Sequence, residues 1–480
     1  MVARNPRICI AGAGMSGMLM AIKLQKAGFN HFQIYEKASK VGGTWRENRY
    51  PGVACDVASF SYCYAFEPNM SWSHRFSPGP EIQRYFEGVA EKYGLLKNIR
   101  FNTAVTSAVY RNQQWHVKTD QGDEEVFDIY VAATGPLRER KYPDIPGLDS
   151  FAGQMFHTAD WNDELDLRGK RVGIIGTGSS AVQMVDPISQ VAGKLNVFQR
   201  TAQWVMPTPN PAYSQFSIKM KHWFPLLGKL TRKFYDWVGE QFGRAALYDG
   251  WRRRMVGYMC RKNLETIKDP ELRRKLTPSD EPMCKRMIVS ETFYPAMQRD
   301  NVALVVESIQ GIEPQGIRTA DGQLHELDVL VLATGFYPNV WGVRQVVGEN
   351  GQSLDEVWRQ GVRTYRSVSI PGFPNYFMLI GPNSPITNLS LIDIADIGVD
   401  YVLQVVEKFH RGEITAISPK QEVVKAFTED MINAFDKTVW VTGCNSWYLD
   451  ADGVPATWPW LPSRFREELK TLNLDDYDVA

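Results

Sequence analysis

Arg7-Ile-Cys-Ile-Ala11-Gly12-Ala-Gly14-Met-Ser-Gly17, near the start of the 480-residue chain, decides the fold. Ile8-Cys9-Ile10 is an apolar run that breaks into three glycines at Gly-x-Gly-x-x-Gly spacing. Met18 to Lys26 then shows helical apolar spacing, and Phe32-Gln33-Ile34-Tyr35 is a second strand ending in Glu36, 19 residues beyond Gly17. Each part has a task in a dinucleotide-binding βαβ unit. Gly12 makes the tight turn, Gly14 lets the backbone approach a pyrophosphate, Gly17 lets the helix pack close to the sheet, and the helix N-terminus supplies partial positive charge. Glu36 is placed to accept hydrogen bonds from an adenosine ribose.

The pattern returns once. After Arg171-Val-Gly-Ile-Ile175 comes Gly176-Thr177-Gly178-Ser179-Ser180-Ala181, with Ala in the third position, which the fingerprint allows. Its second strand ends in Arg200-Thr201 where the first ends in an acid. A guanidinium there suits a 2′-phosphate, so NADPH is expected over NADH. Two such units imply electron transfer between a flavin, FAD, and a nicotinamide, because both supply hydride chemistry that side chains lack. Ala133-Thr-Gly135 and Ala333-Thr-Gly335, each preceded by an Asp (Asp128, Asp328) and an apolar strand, read as the chain returning to each unit. No internal repeat is expected beyond the two glycine motifs. The fold class is therefore α/β: two Rossmann-like dinucleotide-binding domains, one for FAD and one for NADP, with a helical insertion in the second.

Composition agrees with a globular chain of roughly three core-forming units. Lys+Arg and Asp+Glu number 54 each and 44% of residues are apolar, so bulk charge does not point to nucleic acid. Met1 to Pro6 leaves no room for a secretion signal before the first strand, and no uncharged apolar stretch reaches membrane-spanning length. Cys9, Cys55, Cys63, Cys260, Cys284 and Cys444 never form Cys-x-x-Cys, which argues against a metal site and a dithiol centre and makes a reducing cytoplasm the expected setting. Most are expected to be small core or loop residues.

From Pro207 to Pro282 β-like alternation stops, while Trp223, Leu227, Leu230, Phe234 and Trp237 recur at helical spacing. Phe216 to Lys262 carries 11 Lys/Arg against 3 Asp/Glu. An amphipathic membrane-surface helix is conceivable, but a helix packing its apolar stripe onto its own domain is the favoured expectation.

Two further motifs resemble those of the type I Baeyer–Villiger monooxygenases, within the flavin-containing monooxygenase superfamily, and the resemblance covers essentially the whole chain. Phe151-Ala-Gly153-Gln-Met-Phe-His157-Thr-Ala-Asp-Trp161 matches F-x-G-x-x-x-H-x-x-x-W, departing at the next position, where Asn162 replaces Pro or Asp. Gly43-Thr44-Trp45-Arg-Glu-Asn-Arg-Tyr50-Pro51-Gly52-Val-Ala-Cys-Asp56 matches G-x-W-x-x-x-x-[FY]-P-G-x-x-x-D in full. The resemblance implies cofactor contacts at Thr44, Trp45, Asp56 and Tyr62. It also implies them at Leu391, in the stretch from Gly381-Pro-Asn-Ser384-Pro385 to Leu391 that is similar to the segment beside the isoalloxazine. Cys444-Asn-Ser-Trp447 is similar to the loop whose Trp closes over NADP, and Cys284-Lys285-Arg286 resembles the family's Lys-Arg pair. Lys285 would then read the 2′-phosphate with Arg200 and Thr201, and Arg286, held by Asp56, would be the catalytic cation against the flavin. His157 would link domain motion to catalysis, and Trp161 would pack.

What the resemblance implies for activity is insertion of one oxygen atom of O₂ beside a ketone carbonyl, by way of a flavin C4a-peroxide, giving an ester or lactone. The partners are a small ketone and O₂, with no metal. The expected order is an FAD domain over 1–140 and 341–480, a NADP domain over 141–206 and 284–340, the insertion over 207–283, and a NADP-closing loop near 444–460. Three competitors share features: a flavin monooxygenase for amines or sulfides, for which Asn162 leaves room; a disulfide reductase, which needs a redox Cys pair; and a non-catalytic flavin-binding sensor. Trp204, Phe224 and Trp458 are candidates to shape an apolar substrate pocket.

Overall fold

The computed structural model describes residues 4–337, 345–387, 389–444, 449 and 453–480. Ile8, Cys9 and Ile10 are fully or almost fully buried, as are Ile129, Tyr130 and Val131. Continuous apolar runs of this kind suit strands covered on both faces, as parallel sheets are. Ile8–Ala11 accordingly lies between Phe32–Tyr35 and Ile129–Ala132, with Ile8 opposite both Phe32 and Ile129. Tyr376–Met378 and Ile99–Arg100 complete a five-stranded parallel sheet at its two edges.

Gln154–His157, Val329–Leu332, Arg171–Ile175, Lys194–Phe198 and Val302–Val305 form a second five-stranded parallel sheet in that order. Val172 here faces Leu195 and Val329, as Ile8 faces its two partners in the first. One device fastens both central strands. Asp128 Oδ2 accepts from the backbone N–H of Arg7 at 2.7 Å, and Asp328 Oδ2 accepts from that of Arg171 at 2.8 Å.

The internal repeat extends further than the glycine motifs suggested. An antiparallel meander, Val105–Arg111, Gln114–Thr119 and Glu124–Phe127, precedes the return strand of the first unit. A smaller one, Ile309–Glu313, Gly316–Thr319 and Leu324–Glu326, precedes that of the second. Its signal is faint in sequence because these strands are only partly buried and lack the continuous apolar runs of the parallel sheets.

Helices Gln215–Trp223, Pro225–Leu247, Trp251–Leu264 and Pro270–Lys275 fill the stretch between Val205–Met206 and Ile288–Val289, which pair in parallel and close it at its base. The expectation that the apolar stripe packs inward is overturned. Trp223, Leu227, Leu230, Phe234 and Trp237 are between 39% and 68% exposed. The long helix turns Gly228 inward, where an added Cβ would lie 2.4 Å from Met70 Sδ, together with Arg232, which binds Asp393 at 2.7 Å.

The cysteine reading also needs correction. Cys9, Cys55, Cys63 and Cys260 are buried free thiols, but Cys284 and Cys444, 160 residues apart, form a disulfide. Nothing in their spacing signalled the pair. Cytosolic disulfides are uncommon, so the cysteines no longer argue for a reducing setting. Among the described residues no helix is long and apolar enough to cross a membrane.

Candidate functional site

The two glycine turns are built alike. Gly12 has φ +112° and Gly176 φ +117°, conformations that favour glycine. A Cβ on Gly12 would lie 2.5 Å from the carbonyl oxygen of Ala133, and one on Gly176 the same distance from that of Ala333. The Ala-Thr-Gly segments therefore pack against the glycine turns. Gly17 is tighter, its Cβ position lying 2.0 Å from Gly12 O. Glu36 is buried beside the first turn, accepting from Ala13 N at 2.8 Å and from Ala38 N at 3.0 Å. In the second unit Thr177 Oγ1 donates to Thr201 O at 2.8 Å, joining the turn to the end of the next strand. Arg200 is exposed there and has no ion-pair partner among the described residues.

Both turns fit a pyrophosphate. Helices Met15–Lys26 and Ser179–Ser189 begin at Gly14 and Gly178 without a side-chain cap and without an acid in the first turn, which leaves their N–H groups directed outward. Among the described residues there is open space where a Cβ on Gly178 would go, with Ser179, Ser180 and Ala181 following it, and a Cβ on Gly14 would meet Gly43 alone, at 3.8 Å.

The Gly43–Asp56 stretch lies between the two units. At one end, Gly42 N donates to Ala13 O at 3.1 Å, and Gly43 meets Gly14, with Thr44 exposed just beyond. In the middle, Tyr50 OH bonds Gln183 Oε1 at 3.0 Å, and Gly52, φ +83°, approaches so closely that a Cβ would meet Gln183 O at 2.4 Å. Gln183 Nε2 donates to Ala54 O at 3.0 Å. Trp45 packs against both cores, and its Nε1 donates to Tyr62 OH at 3.0 Å. Burial first of all holds the Tyr62 phenol far above its ordinary pKa, so it stays protonated.

At the other end stands Asp56. Its Oδ2 accepts from Arg286 Nη2 at 2.6 Å and Nε at 3.0 Å. Arg286 Nη1 also reaches Ile386 O at 3.5 Å, in the segment that leads to Leu391, the first residue of helix Leu391–His410. Close by, Thr387 Oγ1 is buried with no partner among the described residues, a polar atom that a bound molecule could satisfy. Arg286 and Lys285 line one pocket with Gln203, Trp204 and Asp280. Lys285 is ion-paired with Asp280, and Trp204 Nε1 donates to Asp280 O at 2.7 Å. Arg200 is not among that pocket's lining residues. Trp447 lies outside the described residues.

Of the three aromatics expected around an apolar pocket, Trp204 instead lines the largely polar pocket of Lys285 and Arg286. Phe224 is exposed and Trp458 is fully buried in the first core. His157 is buried and fixed as one neutral tautomer: Nε2–H donates to Gly335 O at 2.9 Å, while Nδ1 accepts from Ala159 N at 3.2 Å. Burial lowers its pKa, outweighing the Gly335 bond. Trp161 packs edge-on against Phe156 in the second core. Sequence reasoning missed Gln183, Asp280 and the Ile386 carbonyl. None belongs to a motif, and each is found only through the partner it touches.

Residues 5–340 match the model of the flavin-binding monooxygenase-like family. An uncharacterized monooxygenase of Mycobacterium tuberculosis is 45% identical over 100% of this chain and 97% of its own length. A Baeyer–Villiger monooxygenase of Streptomyces coelicolor is 37% identical over 100% of this chain and 93% of its own. The crystal structure of OTEMO in complex with FAD and NADP superposes with a TM-score of 0.89 at 28% identity, covering 100% of both chains. With two matched glycine turns, a shared segment between them and these relatives along its whole length, the chain belongs to the flavin-binding monooxygenase-like family and, within it, to the Baeyer–Villiger monooxygenases.

Proposed function

We propose that this chain is an FAD- and NADPH-dependent monooxygenase that inserts one oxygen atom of O₂ beside a ketone carbonyl, producing an ester or lactone with water and NADP⁺. The Arg286–Asp56 pair carries the reading, because it sets a fixed cation where two nucleotide units, the Gly43–Asp56 stretch and the Ile386 segment converge. When bound, FAD supplies O₂ activation and NADPH the hydride.

The rest is done by side chains. Arg286 stabilises negative charge developing on oxygen, which a permanently protonated guanidinium does without a proton transfer. Asp56 holds its orientation, with Nη1 directed to the Ile386 carbonyl. Glu36 receives the ribose of FAD, and the Gly12 and Gly176 turns hold the two pyrophosphates. Lys285, Arg200 and Thr201 recognise the 2′-phosphate of NADPH, with Asp280 holding Lys285 until it arrives. Thr44, Trp45, Tyr62 and Leu391 border the flavin, and Trp45 with Tyr62 keeps water from it. Residues 1–140 and 341–480 make up the FAD domain, and 141–206 with 284–340 the NADP domain.

Substrate-stimulated NADPH oxidation across a panel of ketones and one sulfide, with products identified by mass, tests this reading. A ketone product heavier by one oxygen supports it. Turnover of the sulfide alone, with every ketone inert, replaces it by heteroatom oxidation.

A further inference from the structure

The helical insertion wears its apolar side outward, and the reason is geometric. Leu227, Leu230, Phe234 and Trp237 are spaced by three, four and three residues, so they share one face of helix Pro225–Leu247, and exposed Trp223 ends the helix before it, Gln215–Trp223. The opposite face is committed to the body of the protein by Gly228 against Met70 and by Arg232, whose Nη1 donates to Cys63 O at 3.0 Å and whose Nη2 binds Asp393. No rotation of the long helix can bury the stripe without breaking that partly buried ion pair. A second exposed stripe, Trp251, Met255 and Tyr258, lies on the next helix. It adjoins the end of the first, because Arg252 stacks on Trp251 at 4.6 Å and donates to Gln241, one turn past Trp237, at 2.9 Å.

We infer that this face is a docking surface for an anionic lipid membrane, on which the insertion lies flat with its aromatic side chains in the interface. Charge singles out that occupant. Phe216 to Lys262 holds 11 Lys/Arg against 3 Asp/Glu, of which Lys221 is buried and Arg232 is bound to Asp393, while the chain as a whole balances at 54 and 54, so the rest of the molecule is acidic by the same margin. Lys219, Lys229 and Lys233 are exposed beside the stripe and have no ion-pair partner among the described residues. Lysines flanking exposed Trp, Phe and Leu suit a surface where aromatic rings sit at headgroup depth and ammonium groups reach phosphates. A twofold contact with a second copy would set this basic face against itself. The core of a protein interface, in turn, is depleted in lysine.

The test pellets the flavin-loaded enzyme with vesicles of phosphatidylcholine alone, and with vesicles that also contain phosphatidylglycerol, across a salt series. Binding to the anionic vesicles at low salt, loss at high salt and little binding to neutral vesicles are expected. Phe234→Ser with Trp237→Ser, and separately Lys229→Glu with Lys233→Glu, should each weaken binding by about tenfold or more, with flavin content and turnover of a water-soluble ketone unchanged. The charge pair alters no apolar group and stands as the test alone should the apolar pair lose flavin. Three results overturn the inference: no sedimentation with anionic vesicles at low salt, sedimentation that neither pair of substitutions alters, or a dimer that the apolar substitutions dissociate.

Discussion

Arg286 donates from Nη2 and Nε to a single oxygen of Asp56, across 230 residues of chain. The geometry leaves the other Asp56 oxygen outside this pair and leaves Nη1 directed toward Ile386. Arg286→Ala should keep flavin and its reduction by NADPH yet lose about 10²–10³ in ester formation, the scale for removing a preorganised charge contact. Asp56→Asn keeps the shape but removes the counter-charge. It should lose less in rate and consume NADPH without matching product. Ester formation retained by Arg286→Ala in stopped assays would remove Arg286 from the chemistry.

The two glycine turns separate the cofactors. Gly12→Ala forces a Cβ onto the Ala133 carbonyl, and Gly176→Ala forces one onto the Ala333 carbonyl, both at positive φ. The first should purify without flavin colour. The second should stay yellow, with a raised KM for NADPH and unchanged flavin content. If Gly176→Ala loses flavin while Gly12→Ala keeps it, the two sites have been assigned the wrong way round.

Lys285 is held by Asp280 within the pocket that Trp204 lines. A hydrogen bond from a charged donor contributes about 1.5–3 kcal/mol, so Lys285→Ala should raise KM for NADPH by roughly ten- to a hundredfold and leave that for NADH nearly unchanged. Arg200→Ala, on an exposed side chain with no ion-pair partner among the described residues, should act in the same direction. Equal losses for both nucleotides would mean that neither residue reads the 2′-phosphate.

These residues differ in how far the sequence alone could find them. Gly12, Glu36 and Gly176 stand at spacings dictated by the chemistry of a pyrophosphate and a ribose, so the parallel sheets and both turns were legible before any coordinates. Asp56 and Arg286 were legible only because each sits in a motif, since an Asp and an Arg 230 residues apart carry no local sign of contact. Asp280 and Gln183 left no trace, because their partners come from other parts of the chain. The Trp223–Trp237 stripe shows the opposite failure. Its periodicity correctly marked helical structure, though not the break at Phe224, and periodicity does not say which way a helix faces; Gly228 and Arg232 turned the long helix outward.

His157 gives a pH dependence with a definite sign. Burial lowers its folded-state pKa, so the folded ring resists the proton that the unfolded ring accepts below about pH 6.5. Stability should therefore be level above that pH and fall as pH drops toward the folded value, with a slope of at most about 1.4 kcal/mol per pH unit from one proton. His325, also lowered mainly by burial, contributes in the same direction. His157→Gln can keep a donor to Gly335 but cannot titrate, so denaturant melts at pH 7.5 and pH 5.5 should differ less in the variant. An unchanged difference would mean that His157 does not supply the slope.

Cys284 and Cys444 bring the segment before Lys285 against the helical turn Val439–Val441, amid Met283, Met287 and Trp440. Closing so long a loop stabilises the fold by about 2–4 kcal/mol through the unfolded chain, and here it also fixes the approach to Lys285 and Arg286. Alkylation in denaturant without reductant should therefore label Cys9, Cys55, Cys63 and Cys260 only, and all six cysteines after reduction, as read by intact mass. Reduction of the native enzyme should lower its melting temperature and raise KM for NADPH, since Lys285 loses the anchor beside it. Six labelled cysteines without reductant would show that the bond does not form in the purified protein, and the anchoring of Lys285 would then rest on Asp280 alone.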